Sequence, residues 1–260
     1  MLVLTHASLA TVEQLFRYKQ QGLSLDPFPG YTPDQWGIKA HNRPWIAETG
    51  KFASGQKILE VGGAYSSLPK YLHDLYGCEA WIGDDFGMES GSSSWSRWGN
   101  PYTLPQKNPS VKYVFKNFGL YAKEYPSSYF DRIFSVSTLE HIPYEKRLDV
   151  FKDMHRCLKP GGKQLHTIDV QTDLNLCLSY IKSETLNQNQ SEIQSWIDII
   201  ANSGVVINTT VPSSFLLLDR QTLVESPDVV YRFYPPNNSP KTYNPNASLL
   251  LIIEDIPNFK

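Results

Sequence analysis

Two short stretches of this 260-residue chain combine residue types that do chemistry. In the first, the apolar run Lys57-Ile-Leu-Glu-Val61 closes on Gly62-Gly-Ala-Tyr-Ser-Ser67. Glycines after a buried strand let backbone N–H and C=O groups approach a ligand, because no Cβ stands in the way. Glu60 lies inside the apolar run, where an unpaired charge is costly. Either a ligand satisfies it, or a neighbouring backbone group or cation does. In the second stretch, Asp84 and Asp85 follow Ala80-Trp-Ile82 and Gly83. An acid at the end of a second strand binds ribose in nucleotide-binding sheets, two vicinal hydroxyls matching two carboxylate oxygens. The other reading is a solvated turn, and a one-residue choice of register decides which of the two acids faces a ligand.

The elements around these residues must hold them at strand ends. Leu68, Tyr71, Leu72 and Leu75 recur with helical spacing, with Pro69 near the first turn and Gly77 as a stop. Strand, glycine loop, helix and second strand therefore make a β-α-β crossover from Ile58 to Asp85, which requires parallel strands. Further strands are predicted at 111–115, 130–136, 164–170 and 249–253. Leu148, Phe151, Met154 and Leu158 form a helical stripe halted by Pro160-Gly-Gly162. Ser191 and Gln194 make a capping box before a helix carrying Ile193, Trp196, Ile197 and Ile200. The expected fold is α/β, a doubly wound, mostly parallel sheet whose ligand crevice lies at the C-terminal strand ends.

With these elements in place, Phe130-Asp-Arg-Ile-Phe-Ser-Val-Ser-Thr-Leu-Glu-His-Ile-Pro143, then Asp153-Met-His-Arg-Cys-Leu-Lys-Pro-Gly-Gly162 and a strand, closely resembles the class I SAM-dependent methyltransferases. The ordered set, from Ile58-Leu-Glu-Val-Gly62 through an acid after strand two to "LEHIP" and "LKPGG", spans about residues 57 to 170. The resemblance implies a Rossmann-like fold, S-adenosylmethionine as cofactor, and methyl transfer as the activity. It implies that Glu60, Gly62, Gly63 and Ala64 line the methionine part of the cofactor and that Asp84 or Asp85 takes the ribose. Asn117 and Phe118 fall where the adenine is held; the Asn117 amide can donate to and accept from an adenine edge, or simply end a strand. Ser135 and Ser137 fall near the reaction centre. Ala64 and Ser66 stand where the family usually has glycines, and Phe86 to Pro101 is too rich in Gly, Ser and Pro for the helix expected there.

Methyl transfer is an in-line displacement that depends on alignment and requires no metal. For a hydroxyl acceptor a base assists, and His141 is the first candidate because imidazole titrates near neutrality; the alternative is a histidine bonded within its own turn. His166 and Asp169 are weaker candidates. The aromatics Trp36, Trp45, Trp95, Trp98 and Tyr102 either stack on an acceptor or pack as a lid. Residues 1–52 are expected to form an N-terminal helical cap. The domain proper is 53–260, with an irregular insertion, a cap at about 172–190 and C-terminal strands to 256. The expected acceptor is a small molecule, glycan or peptide natural product, with O-methylation favoured; a catalytically idle binding or scaffold protein is the alternative.

Composition limits the other classes. With 41% hydrophobic residues and a formal net charge of −2, the chain buries a substantial core and has no global field to attract nucleic acid or an anionic membrane. No nucleic acid or membrane partner is expected, and the chain reads as cytoplasmic. Its three cysteines, Cys78, Cys157 and Cys177, are widely spaced and read as reduced core thiols. A nicotinamide-dependent oxidoreductase lacks support, because Gly62 to Ser67 does not spell Gly-x-Gly-x-x-Gly.

Overall fold

In the computed structural model an eight-stranded sheet runs through the centre of the molecule. The structure describes residues 1–11, 14, 17–18, 20–21, 39–87, 99–170, 190–211 and 247–257. The strands are β1 (Leu2–Leu9), β2 (Lys57–Val61), β3 (Glu79–Gly83), β4 (Val111–Val114), β5 (Phe130–Val136), β6 (Leu158–Val170), β7 (Val206–Ile207) and β8 (Ala247–Asp255). The helices are α1 (Lys39–Thr49), α2 (Leu68–Tyr76), α3 (Leu104–Lys107), α4 (Tyr144–Cys157) and α5 (Gln190–Asn202). Their order across the sheet is β4-β3-β2-β5-β6-β8-β1-β7, with β8 antiparallel to both neighbours and the other pairs parallel.

Both faces of the sheet are covered, which is why β2 reads as a continuous apolar run rather than an alternating one. On one face Trp45 and Ile46 of α1, with Leu68 and Leu72 of α2, pack on Phe134, Val136, Leu165 and Leu250. On the other, Phe151 and Met154 of α4 and Trp196 and Ile200 of α5 pack on Ile133, Ile168 and Leu251. Gly77 ends α2 in the left-handed conformation at φ 74°, and its N–H donates to the His73 carbonyl. Cys78 and Cys157 are free and buried, filling core space as small apolar groups; Cys177 lies outside the described residues.

From β2 the chain moves outward to β3 and β4, then crosses back to β5 on the other side of β2. That reversal opens a crevice between the C-terminal ends of β2 and β5, where ligands bind in doubly wound sheets.

Two local expectations are corrected. The opening residues, expected within a helical cap, form β1, a strand enclosed between β8 and β7. Its partner β8 lies at the far end of the chain, so no local pattern could reveal the pairing, and a bulge between Leu4 and His6 breaks the alternation. Lys159–Gly162, expected as a turn before a strand, instead bulges within β6: Phe130 pairs with Leu158 while Arg132 pairs with Lys163. The Lys159 ammonium holds this bulge to Asp131 at 2.9 Å. The cap expected at about 172–190 falls almost wholly outside the described residues, as does most of the insertion at 88–98.

Candidate active site

Glu60 is placed by β2, whose backbone register sets it beside Ile82 of β3 and Phe134 of β5. Its carboxyl is buried, and Oε2 has no hydrogen-bond partner among the described residues. Burial pushes it up to about 7, against the opposing influence of the Ser66 hydroxyl and the Arg43 charge. The glycine loop folds back over this carboxyl. Gly62 has φ 70°, and a Cβ there would collide with the Thr138 side chain. Thr138 Oγ1 in turn donates to the Gly62 carbonyl at 3.2 Å, tying the loop to the end of β5 across the switch point. A Cβ on Gly63 would press on Glu60 itself, at 3.1 Å from Cγ. Ala64 adopts a left-handed φ of 43° that glycine would take more easily. It is buried against Phe86 and Leu104.

The two acids after β3 separate by role. Asp84 Oδ2 accepts the Ala64 N–H at 2.9 Å and Oδ1 accepts the Phe86 N–H at 2.6 Å. Asp84 thus clamps the glycine loop to the β3 end, and burial raises its carboxyl to about 6. Asp85 Oδ1 accepts the Gly87 N–H at 2.9 Å. Around this end an aromatic wall forms from Tyr65, Phe86, Phe115 and Tyr102, with centroid separations of 5.0–5.6 Å.

Beyond β4, Asn117 is half-buried, whereas the Phe118 ring is buried against Tyr125 at 4.2 Å and belongs to the core. Only the Phe118 backbone is available to a ligand. The loop is shaped by Asp153, whose Oδ2 accepts the Gly119 and Tyr121 N–H groups at 3.0 and 3.1 Å. Arg156 neutralises that fully buried carboxylate at 2.7 Å.

Ser135 and Ser137 point to opposite ends of the chemistry. Ser135 Oγ bonds His166 Nδ1 at 2.9 Å, and the chain continues through Gln164 and His155 to Ser203. This polar chain lies beneath α4, with His166 edge-on to Phe151. Burial lowers the His166 imidazole to about 3 and that of His155 to about 4, so both are neutral hydrogen-bonding groups. Ser137, by contrast, donates to Asp169 Oδ1 at 2.9 Å, and Asn42 Nδ2 of α1 donates to both, at 3.1 and 3.0 Å. His141 is exposed on the short 3-10 turn Leu139–His141. That turn is held by Arg147, which donates to the Glu140 and Ile142 carbonyls at 3.0 and 2.9 Å and lies over the Trp196 ring.

The residues that sequence reasoning missed come from α1: Asn42 and Arg43, both buried beside the strand ends. A helix buried all round, with Pro44 inside it, presents no amphipathic stripe to read. Trp45, considered as a stacking platform, is core and contacts His6. Tyr102 is exposed beside Phe115, while Trp36, Trp95 and Trp98 lie outside the described residues. No group of three or more metal-ligating side chains is gathered among the described residues, and no helix among them is long and apolar enough to cross a membrane.

A buried acid on β2, a glycine turn at the switch point and paired acids after β3 thus gather at the C-terminal ends of the strands. Residues 103–165 match the family model described as a methyltransferase domain. The fold resembles a phosphoethanolamine N-methyltransferase of Haemonchus contortus, solved with phosphomonomethylethanolamine and S-adenosylhomocysteine, with a TM-score of 0.51 at 17% identity. That match covers 94% of this chain and 57% of the longer protein. It also resembles a geranyl diphosphate C-methyltransferase of Streptomyces coelicolor A3(2), solved with Mg2+, geranyl diphosphate and S-adenosylhomocysteine. Here the TM-score is 0.51 at 11% identity, covering 96% of this chain and 92% of that one. No curated protein sequence matches the chain. At these identities the structural likeness establishes the Rossmann-like class I fold. The family-model match runs from the residue before α3 to the middle of β6 and takes in β4, β5 and α4.

Proposed function

We propose that this chain binds S-adenosylmethionine at the ends of β2, β3 and β4 and methylates a small-molecule acceptor presented at the ends of β5 and β6. The observation that carries the reading is Glu60: a buried carboxyl with an unpartnered oxygen, beneath a glycine turn that leaves no room for side chains. An ammonium group satisfies such an oxygen, and the methionine end of the cofactor supplies one. Gly62, Gly63 and Ala64 then approach it through backbone alone.

Asp85 takes the ribose, because both oxygens of Asp84 already accept backbone N–H groups that shape the loop. Asn117 addresses the adenine edge, with Phe86 and Phe115 supplying apolar walls, while Phe118 contributes backbone only. Ser135 supports the floor of the site through His166 rather than touching the cofactor.

When bound, the cofactor supplies an electrophilic methyl on a sulfonium. The chain's own work is alignment and exclusion of water, which the closed turn at Gly62–Thr138 and the aromatic wall promote. His141 serves as base only for an acceptor that reaches the exposed rim. The phosphomonomethylethanolamine and geranyl diphosphate bound by the structural neighbours support a small molecule as the acceptor, and oxygen methylation is favoured here.

Titration calorimetry with S-adenosylhomocysteine tests the reading. Micromolar binding is expected for the wild type and a loss of at least 100-fold for Glu60→Ala with the fold intact. A folded wild type that fails to bind at millimolar ligand refutes it. Binding without methyl transfer to any extract fraction would leave the idle binding protein as the function.

A further inference from the structure

Asp169 lies one residue from the end of β6 and is almost wholly buried, with Oδ1 accepting from Ser137, just past β5, and Asn42 on α1. These three residues are far apart in sequence and meet on the β5–β6 side of the switch point, opposite the side that holds Glu60 and Asp85. Two donors on one carboxylate oxygen fix the plane of the group, which is how a reacting carboxylate is oriented. A second observation is independent of this cluster. Thr167 Oγ1, two residues earlier on β6, and Ser248 Oγ, which faces Asp169 in the β6–β8 register, are fully buried and have no hydrogen-bond partner among the described residues. All lie on the α1 side of the sheet, together with Leu165 and Leu250. A buried hydroxyl without a partner costs about 1–3 kcal/mol, so two beside an oriented carboxylate indicate a ligand that supplies the missing bonds.

We infer that Asp169, Thr167 and Ser248 form the acceptor-binding surface, that Asn42 and Ser137 position the Asp169 carboxylate, and that the acceptor carries a hydroxyl or amine at the reacting atom. The inference rests on the methyltransferase reading above. The acceptor oxygen or nitrogen forms its bond to the methyl carbon as the carbon–sulfur bond breaks. Its proton passes to the Asp169 carboxylate, and the neutral thioether leaves. Thr167 and Ser248 bond further polar atoms of the acceptor. A hydrocarbon acceptor methylated at carbon would leave both hydroxyls unsatisfied.

The experiment uses the full chain, S-adenosylmethionine labelled at the methyl and the small-molecule fraction of a cell extract, with S-adenosylhomocysteine affinity measured alongside. Label is expected on oxygen or nitrogen. Asp169→Asn is expected to lower kcat at least 100-fold with homocysteine-form affinity within twofold of wild type. Thr167→Val separates binding from folding: as a structural change alone it removes an unsatisfied hydroxyl and raises the melting temperature, whereas an acceptor contact also raises KM about tenfold. Asn42→Ala is expected to lower kcat with KM nearly unchanged, and Asn42→Gln to restore part of it. The inference is overturned by label on a hydrocarbon carbon, by full activity in Asp169→Asn, by an unchanged KM in Thr167→Val, or by no labelled product from a wild type that binds S-adenosylhomocysteine. It is overturned too if Asp169→Asn folds but loses that affinity, which would move Asp169 to the cofactor side. A wild type that does not bind S-adenosylhomocysteine defeats the methyltransferase reading itself.

Discussion

The two halves of the crevice are built by different means. The half at β2, β3 and β4 is made by backbone: a left-handed Gly62, a Gly63 with no room for a Cβ, and N–H groups of Ala64 and Phe86 fastened to Asp84. Its parts come from one continuous region of the chain. The half at β5 and β6 is made by side chains from α1, β5, β6 and β8, with Asn42 bonding Asp169 across 127 positions. Backbone geometry suits a ligand that never changes, and side chains suit one that differs between proteins. Shape is preserved by the fold in the first case and is open to substitution in the second.

The largest expected effect tests whether the first half depends on a single buried charge. Asp153→Ala leaves Arg156 only its bonds to the Tyr125 carbonyl and Ser127 among those to described residues, and releases the Gly119 and Tyr121 N–H groups. Losing a fully buried carboxylate that accepts bonds from two backbone N–H groups and a guanidinium costs about 3–5 kcal/mol, and chemical denaturation is expected to show it, with the loop carrying Asn117 loosened in hydrogen exchange.

Glu60→Gln comes next. The folded carboxyl titrates near 7, above its ordinary 4.5, so the native state holds a proton that the unfolded state has released between those values. Stability from this group is present below about pH 4.5 and falls as pH rises through 7, by about 3 kcal/mol in all. Asp84, raised to about 6, acts in the same direction, while neutral His155 and His166 act in the opposite one. The wild-type minus Glu60→Gln difference isolates the carboxyl: near zero at pH 4 and favouring the variant at pH 8 in melting curves without ligand. A pH-independent difference would place the Glu60 proton elsewhere.

A smaller effect is expected at the 3-10 turn after β5. Arg147→Met removes two bonds to the Leu139–His141 turn and the contact over Trp196. The expected loss is about 1–3 kcal/mol, with affinity for S-adenosylhomocysteine kept if the cofactor half stands alone. Least of all, Lys70→Ala removes an exposed pair with Asp74 one turn along α2, and less than about 0.5 kcal/mol should change.

Legibility in the sequence followed the same division. β5 has the predicted bounds, and Glu60, Gly62, Gly63, Ala64, Asp84 and Asp85 converge as local order suggested, because strand–turn–helix patterns and left-handed turns are settled by neighbouring residues. Phe118 looked like part of an adenine site but has its ring in the core, since the direction of a side chain after a strand end depends on the turn that Asp153 imposes from α4. Ser135 near the end of β5 and Ser137 just past it, two residues apart, went to separate networks once the positive φ of Ser137 turned the chain. Asn42 had no local signal at all.

The sequence alone determined the β-α-β unit, the glycine turn after β2 and the positions of the central strands along the chain, since each follows from short-range periodicity, glycine and proline. Only the tertiary structure decided that the first residues are a strand, that Asp84 clamps a loop beside Asp85, and that Asn42, Ser137 and Asp169 meet. Those outcomes depend on pairing and burial between segments remote in the chain, where the cost of an unpaired polar group, rather than any local preference, selects the partner.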